Sequence, residues 1–96
     1  MPADPVQLDR AARELGRKVY RLRRQQKLTQ EELAHLSGVS RNQIQNIEHS
    51  RNNTRDPLTR QLGRGNPRLD TLYHLAEAFG VSPAVLIDPD ADLPEP

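Results

Sequence analysis

Residues 28–49 of the chain read LTQEELAHLSGVSRNQIQNIEH. This stretch contains two capping boxes, in which Thr29 and Ser40 are each followed three positions later by Glu or Gln. The two side chains of a capping box satisfy backbone amides that the first turn of a helix leaves unpaired. Gly38 comes shortly before the second box and favours a sharp bend, because glycine tolerates a positive φ. The stretch therefore predicts two short helices joined by a very tight turn.

Apolar residues at helical spacing precede this stretch. Their spacing alternates between four and three positions, which places them on one side of a helix. They are Leu8, Ala12, Leu15, Val19 and Leu22. The pattern predicts a first helix over 8–26. Gly16 lies inside it and costs about 1 kcal/mol relative to alanine, so we expect the turns before Gly16 to fray.

Two further helices are predicted after residue 65. Asn66 and Ser82 are each followed by proline, a pair typical of an N-cap and the first helical residue. The fourth helix carries a strong apolar stripe and ends at Gly80, and the fifth ends near Ile87.

An insertion, residues 51–66, separates the third predicted helix from the fourth and is rich in Arg, Asn and Gly. It offers little to bury beyond Leu58 and Leu62, so we expect it to be mobile in the free protein. Asp56 and Gly63 are placed to bound a one- or two-turn helix that carries these two leucines.

The chain of 96 residues has room for one domain. We expect a disordered N-terminal tail over 1–7 and one domain over 8–87, with its central helix pair at 29–49. Residues 88–96 read DPDADLPEP, which is acidic, rich in proline and poor in apolar residues. This composition predicts a disordered C-terminal tail.

The net charge of +1 hides an uneven distribution. Residues 1–27 carry eight Lys and Arg against three acidic residues, and residues 51–68 carry five Arg against one Asp. Residues 69–96 carry six acidic residues and no Lys or Arg. Such polarity is able to present a positive face to a polyanion, although solvated helix faces produce the same pattern.

Several classes of protein are excluded by composition. The chain has no cysteine, which rules out disulfides and thiolate metal sites. His35, His49 and His74 fall on different predicted helices without metal-ligand spacing, so we predict no metal. No nucleophile, base and orienting acid can be nominated, so we predict no enzyme, no cofactor and no small-molecule ligand.

We find neither a signal peptide nor a run of apolar residues long enough to span a bilayer. Membrane attachment through the first helix is also disfavoured, because that helix lacks the Trp and Phe that anchor interfacial helices. We therefore expect a cytoplasmic protein.

A helix, a tight glycine turn and a second helix with a polar outer face are typical of a helix-turn-helix. Over Leu15–Arg51 and Asn66–Ile87 the sequence resembles the Cro and phage-lambda-repressor (XRE-type) family of DNA-binding domains. The pattern LTQEELA-x-x-SGVS, followed by Ile-x-x-Ile-Glu, carries the resemblance. It implies an all-α, five-helix fold, from which this chain departs by an extension through Glu14 and by the insertion.

The resemblance also implies which residues face DNA. Arg41, Asn42, Gln45 and Asn46 would lie at base edges, where Arg pairs with guanine and Asn with adenine. Backbone contacts are expected from Gln30, Ser40, Gln43 and His49. The basic insertion is expected to contact the DNA backbone or to reach a minor groove through Arg51, Asn52, Arg55, Arg60 and Arg64, and a merely solvated insertion is the alternative. Arg23 and Glu48 match a family ion pair that ties the first helix to the third. Two independent surface charges are the alternative for that pair.

These features favour a sequence-specific, double-stranded DNA-binding transcriptional regulator of a prokaryote, located with the nucleoid when bound. One domain reads one half-site, so a homodimer on a palindromic operator is expected. An antitoxin that represses its own operon and binds a toxin is the nearest alternative. A helical protein-interaction module without DNA binding is another, which the basic outer face argues against.

Overall fold

The structure, a computed structural model, describes residues 5–49, 51–55, 62–64 and 67–95. Its elements in chain order are α1 (Pro5–Gln25), α2 (Gln30–Ser37), α3 (Arg41–Glu48), β1 (Arg51–Arg55), β2 (Leu62–Arg64), α4 (Leu69–Phe79) and α5 (Pro83–Ile87). The five helices form the body of the domain, so the predicted all-α class is confirmed. The two short strands belong to the insertion.

The core is built from hydrophobic residues of all five helices and of the turn after α2, and all of them but Phe79 are aliphatic. Its buried members are Leu15, Val19, Leu22, Leu33, Val39, Ile44, Ile47, Leu75, Ala76, Phe79 and Leu86. Leu8, which the spacing placed on the inward stripe, is 41% exposed. The stripe of α1 therefore becomes core only from Leu15 onward, because helical spacing does not determine which turns of the helix meet a partner.

Both predicted capping boxes form. The Thr29 hydroxyl accepts the Glu32 amide at 3.0 Å, and the Ser40 hydroxyl accepts the Gln43 amide at 3.1 Å. Gly38 has a φ of 76°, which is the left-handed conformation that the tight turn requires. These local contacts set the angle at which α3 leaves α2.

The end of α1 depends on a lysine in an unusual conformation. Lys27 has a φ of 58°, and the Leu28 amide donates to the Arg23 carbonyl at 2.9 Å. Together they form a Schellman motif, which ends α1 and turns the chain into Thr29.

The start of α4 differs from the prediction. Its N-cap is Arg68, whose backbone is extended and whose side chain makes no capping hydrogen bond. The first helical bond runs from the Leu72 amide to the Arg68 carbonyl at 3.2 Å, so the helix begins after Pro67. Asp70 provides a negative charge in the first turn, which favours that helix end electrostatically.

The insertion contains a two-stranded antiparallel ribbon, in which Arg51 is opposite Arg64 and Arg55 is opposite Leu62. The short helix predicted around Leu58 and Leu62 is therefore wrong at Leu62 and Gly63, which lie in β2. Strand pairing provides backbone hydrogen bonds that the sequence pattern did not indicate. The rest of that predicted helix, including Leu58, lies outside the described residues.

The segment 88–95, predicted to be a disordered tail, packs against α1. The Lys18 ammonium, 5% exposed as a residue, donates to the carbonyls of Val85 and Asp88 at 2.7 and 2.6 Å. Leu93 packs against the core. A composition argument misses this arrangement, because it does not anticipate a buried lysine that binds the end of α5.

Arg10 and Asp90 form a hydrogen-bonded ion pair between α1 and this segment. The hydrogen bond from Arg10 lowers the pKa of the Asp90 carboxyl, and the guanidinium charge adds to the effect. α1 itself begins at Pro5, within the predicted tail 1–7.

Candidate nucleic-acid interface

The buried side of α3 anchors the helix in the core, so that its opposite side faces solvent. Ile44 and Ile47 are buried in the core and fix the rotation of the helix about its axis. Arg41 and Asn42 consequently lie exposed at its N-terminal end. Gln45 and Asn46, one turn further along, are half-buried. A helix presented by its first turn is suited to enter a DNA groove.

Arg41 is engaged by an acidic residue of the neighbouring helix. Its guanidinium lies 3.4 Å from the carboxylate of Glu31, and the two side chains are 61% and 76% exposed. A pair this exposed stabilises a protein by about 0–1 kcal/mol. Arg41 can therefore exchange Glu31 for another acceptor at little cost.

The third helix is tied to the first by a buried ion pair. Arg23 donates from Nε and Nη2 to both carboxylate oxygens of Glu48, at 2.8 and 3.1 Å. The Arg23 and Glu48 side chains are 10% and 6% exposed. Arg23 also donates to the Leu28 carbonyl at 2.9 Å, and its guanidinium lies 5.3 Å from the centre of the Tyr20 ring. The hydrogen bond to Glu48 raises the pKa of Arg23, although burial opposes the rise.

Gln30 completes this network from the first turn of α2. Its side-chain amide donates to Glu48 at 3.2 Å, so one carboxylate receives hydrogen bonds from two other helices. The resemblance assigned Gln30 to a DNA phosphate. In the structure its side-chain amide helps to hold the end of α3 in place.

The other predicted backbone contacts near α3 also have local partners. The side chains of Ser40 and Gln43 form the capping box that starts the helix. His49 is exposed at the C-cap of α3, where its backbone amide donates to the Gln45 carbonyl at 3.0 Å.

A basic groove lies beside the first turns of α2 and α3. Arg24 and Lys27, at the end of α1, line it together with Thr29, Gln30 and Arg41. The N-terminus of α2 opens on this groove and carries the partial positive charge of unpaired amides. The groove therefore combines the exposed cationic side chains of Arg24, Lys27 and Arg41 with a helix terminus, against one carboxylate, that of Glu31, and such surfaces bind phosphate groups.

Arg24 and Lys27 were not nominated from the sequence. Their signal is present in residues 21–27, RLRRQQK, a basic run directly before the capping box of α2. A count of charges along the sequence shows such a run. It does not show which basic residues share a groove with α3, because the turn at Lys27 decides where each side chain lies.

Comparisons with known proteins agree with this geometry. A family model described as "Helix-turn-helix domain" matches residues 16–88. The chain belongs to the helix-turn-helix family. It is also similar to the uncharacterized HTH-type transcriptional regulator y4dJ of Sinorhizobium fredii (strain NBRC 101917 / NGR234), with 38% identity over 80 residues. That alignment covers 83% of this chain and 87% of the relative.

Membership of this family identifies a DNA-binding regulator and not an enzyme, which confirms the prediction from the sequence. α2 and α3 are the two helices of the motif, and α3 is its second helix. Within the described ranges no helix is long and apolar enough to cross a membrane. The described residues also contain no group of three His, Asp or Glu placed to hold a metal ion.

The insertion of this helix-turn-helix protein continues directly from the second helix of the motif. Arg51, Asn52 and Arg55 belong to β1, and Arg64 belongs to β2. β1 lies next to α3 and pairs with β2. The ribbon that carries these four predicted contact residues therefore adjoins the helix-turn-helix motif in space as well as in sequence. Arg60 lies outside the described residues.

Proposed function

We propose that this protein is a sequence-specific transcriptional regulator that binds a palindromic operator as a homodimer and reads it in the major groove with α3. It acts in the cytoplasm of a prokaryotic cell, at the nucleoid when bound. The observation that carries the proposal is the exposed first turn of α3 beside a groove lined by Arg24 and Lys27. Base reading and phosphate binding are thus available on one side of the molecule.

Base reading is assigned to Arg41, Asn42, Gln45 and Asn46. Arg grips the O6 and N7 atoms of guanine with two hydrogen bonds, and Asn or Gln does the same with the N6 and N7 atoms of adenine. The exposure of Arg41 and Asn42 and the rigid seating of α3 support this assignment. Each good pair discriminates against the wrong base by about 1–3 kcal/mol.

Backbone contacts are assigned to the groove and to the ribbon. Arg24 and Lys27 join the residues predicted from the sequence, namely Gln30, Ser40, Gln43, His49, Arg51, Asn52, Arg55, Arg60 and Arg64. Contacts of this kind fix the register of a protein on DNA without reading its sequence. The position of β1 next to α3 supports a role for the ribbon on the DNA flanking the helix.

Selection of bound duplexes from a random-sequence library tests the proposal. We expect enrichment of an inverted repeat whose half-sites are centred about 10 base pairs apart, or a multiple of that spacing, as helix-turn-helix dimers require. The double variant R41A/N42A, selected in parallel, serves as the control and should lose the enriched bases at the positions that those side chains read. A library that shows no enrichment with the wild-type protein overturns sequence-specific binding.

A further inference from the structure

A stripe of arginines runs along α1 toward the basic groove. Arg10, Arg17, Arg21 and Arg24 are separated by steps of seven, four and three positions, which keeps them on one side of the helix. All four are exposed. Glu14, which lies on the same side, pairs with Arg17 at 2.9 Å. The stripe is therefore predominantly positive along its length.

The stripe ends at the groove proposed to bind DNA. Arg24 lines that groove, and helix geometry places Arg21 about 5 Å and Arg17 about 10 Å from it along the axis. The Debye length at physiological ionic strength is about 8 Å. Arg21 therefore lies within one Debye length of Arg24 and attracts the same polyanion, and a polyanion that extends along α1 also reaches Arg17.

The C-terminal segment lies along the far part of this stripe. Asp90 pairs with Arg10, and the residues from Pro89 to Leu93 share a narrow groove with Glu14, Arg17, Lys18 and Arg21. Three carboxylates, of Asp88, Asp90 and Asp92, fall within five positions of this segment. The segment thus places three carboxylates near the arginines of α1.

The segment is held by contacts that do not depend on its carboxylates. Lys18 binds the backbone carbonyls of Val85 and Asp88, and Leu93 packs against the core. Removing the charges of Asp90 and Asp92 therefore leaves two anchors intact. The position of the segment and its charge can be tested separately.

We propose that the acidic segment 88–95 is a built-in counter-charge that restricts non-specific binding of double-stranded DNA along the arginine stripe of α1. The inference rests on the proposed DNA-binding function and adds a determinant of specificity to it. The operator complex is fixed by α3 and its base contacts. Non-specific complexes rely on phosphate attraction alone, and the segment weakens that attraction by pairing Asp90 with Arg10 and by placing carboxylates in the groove that Arg17 and Arg21 line.

A double-mutant cycle tests this role. We compare the affinity of wild type and of three variants for a random-sequence duplex at two salt concentrations. The variants are D90N/D92N, R10Q/R17Q/R21Q and their combination. We expect D90N/D92N to bind that duplex roughly three- to tenfold more tightly than wild type, because it removes one surface ion pair, Arg10–Asp90, and the charge of Asp92 beside Arg17 and Arg21. Its slope of log affinity against log salt should become more negative by about 1. Operator affinity should change less, so the specificity ratio falls.

The arginine variants separate a local effect from a change in net charge. In the R10Q/R17Q/R21Q background the same two Asp→Asn changes should alter affinity by less than about twofold, because their partners are gone. Glu77→Gln is the matched control, since Glu77 is exposed on α4 and lines neither groove. Unfolding midpoints of all variants verify that the fold is retained.

Two results overturn the inference alone. One is an unchanged affinity of D90N/D92N for random DNA, and the other is an equal increase with and without the arginines. Failure of the wild-type protein to bind any duplex overturns the proposed function together with this inference, and the wild-type measurement identifies that case.

Discussion

Arg41 lies at the first position of α3, where its exposure and its weak pairing with Glu31 leave it available to DNA. We expect Arg41→Ala, Asn42→Ala and Asn46→Ala each to weaken operator binding by about 1–3 kcal/mol, because each removes a base contact. Unfolding midpoints should stay at the wild-type value for the two exposed positions. Fluorescence anisotropy on operator and on random duplexes measures the loss of each variant.

Random-sequence DNA is the control for these three variants. Loss of a base-reading side chain should reduce operator affinity more than affinity for random DNA. Equal affinity of all three variants and the wild type for the operator would show that α3 does not read it.

Glu48 receives hydrogen bonds from Arg23 and Gln30 in a largely buried site. Glu48→Ala should destabilise the domain by about 3 kcal/mol or more, because it leaves the Arg23 charge buried with only the Leu28 carbonyl as acceptor. Chemical denaturation measures the change in the free energy of unfolding.

Glu14→Ala is the matched comparison for Glu48→Ala, since Glu14 pairs with Arg17 at the surface. Glu14→Ala should lower the free energy of unfolding by less than about 1 kcal/mol. A similarly small cost for Glu48→Ala would contradict the structural importance of the buried pair.

At the scale of elements, the ribbon is the part that distinguishes this domain from a simple five-helix one. β1 begins three residues after α3 ends, and Arg55 and Arg64 lie at the two outer ends of the pairing. We expect the triple variant R55Q/R60Q/R64Q to lose affinity for all DNA sequences alike. Each lost phosphate contact should also flatten the log–log salt slope by about 0.9.

Titration of the triple variant on operator and random duplexes at two salt concentrations measures both quantities. The change Thr54→Ser, in the same ribbon and outside the proposed contact residues, alters no charge and serves as the control. A triple variant with the wild-type affinity and slope would leave the ribbon as a spacer or a protein-binding element.

The size of the whole molecule agrees with one protomer per half-site. Its principal extents are 40 × 29 × 20 Å, and one turn of DNA measures about 34–36 Å. We expect two protomers per operator and much weaker binding to a single half-site, because the second protomer adds its own contacts. Sedimentation of the protein with full and half operators measures this stoichiometry. One protomer on a full operator with wild-type affinity would exclude the dimer.

The sequence by itself determined the helix pair and the class of fold. The capping boxes at Thr29 and Ser40, and the turn at Gly38, depend on atoms no more than a few residues apart, so the local sequence contains their whole cause. The apolar spacing fixed which sides of the helices face inward. The positions proposed to reach DNA follow from these same features once α3 is seated by Ile44 and Ile47.

Only the tertiary structure decided what depends on partners distant in sequence. Lys18 is buried because the end of α5, 67 and 70 positions away, supplies its two carbonyl acceptors. Gln30 binds Glu48, 18 positions away, a contact that its place in the motif did not indicate. The acidic segment is held by α1, although its composition predicted disorder. In each case the energy comes from contacts that exist only after the helices pack, and no spacing along the chain encodes them.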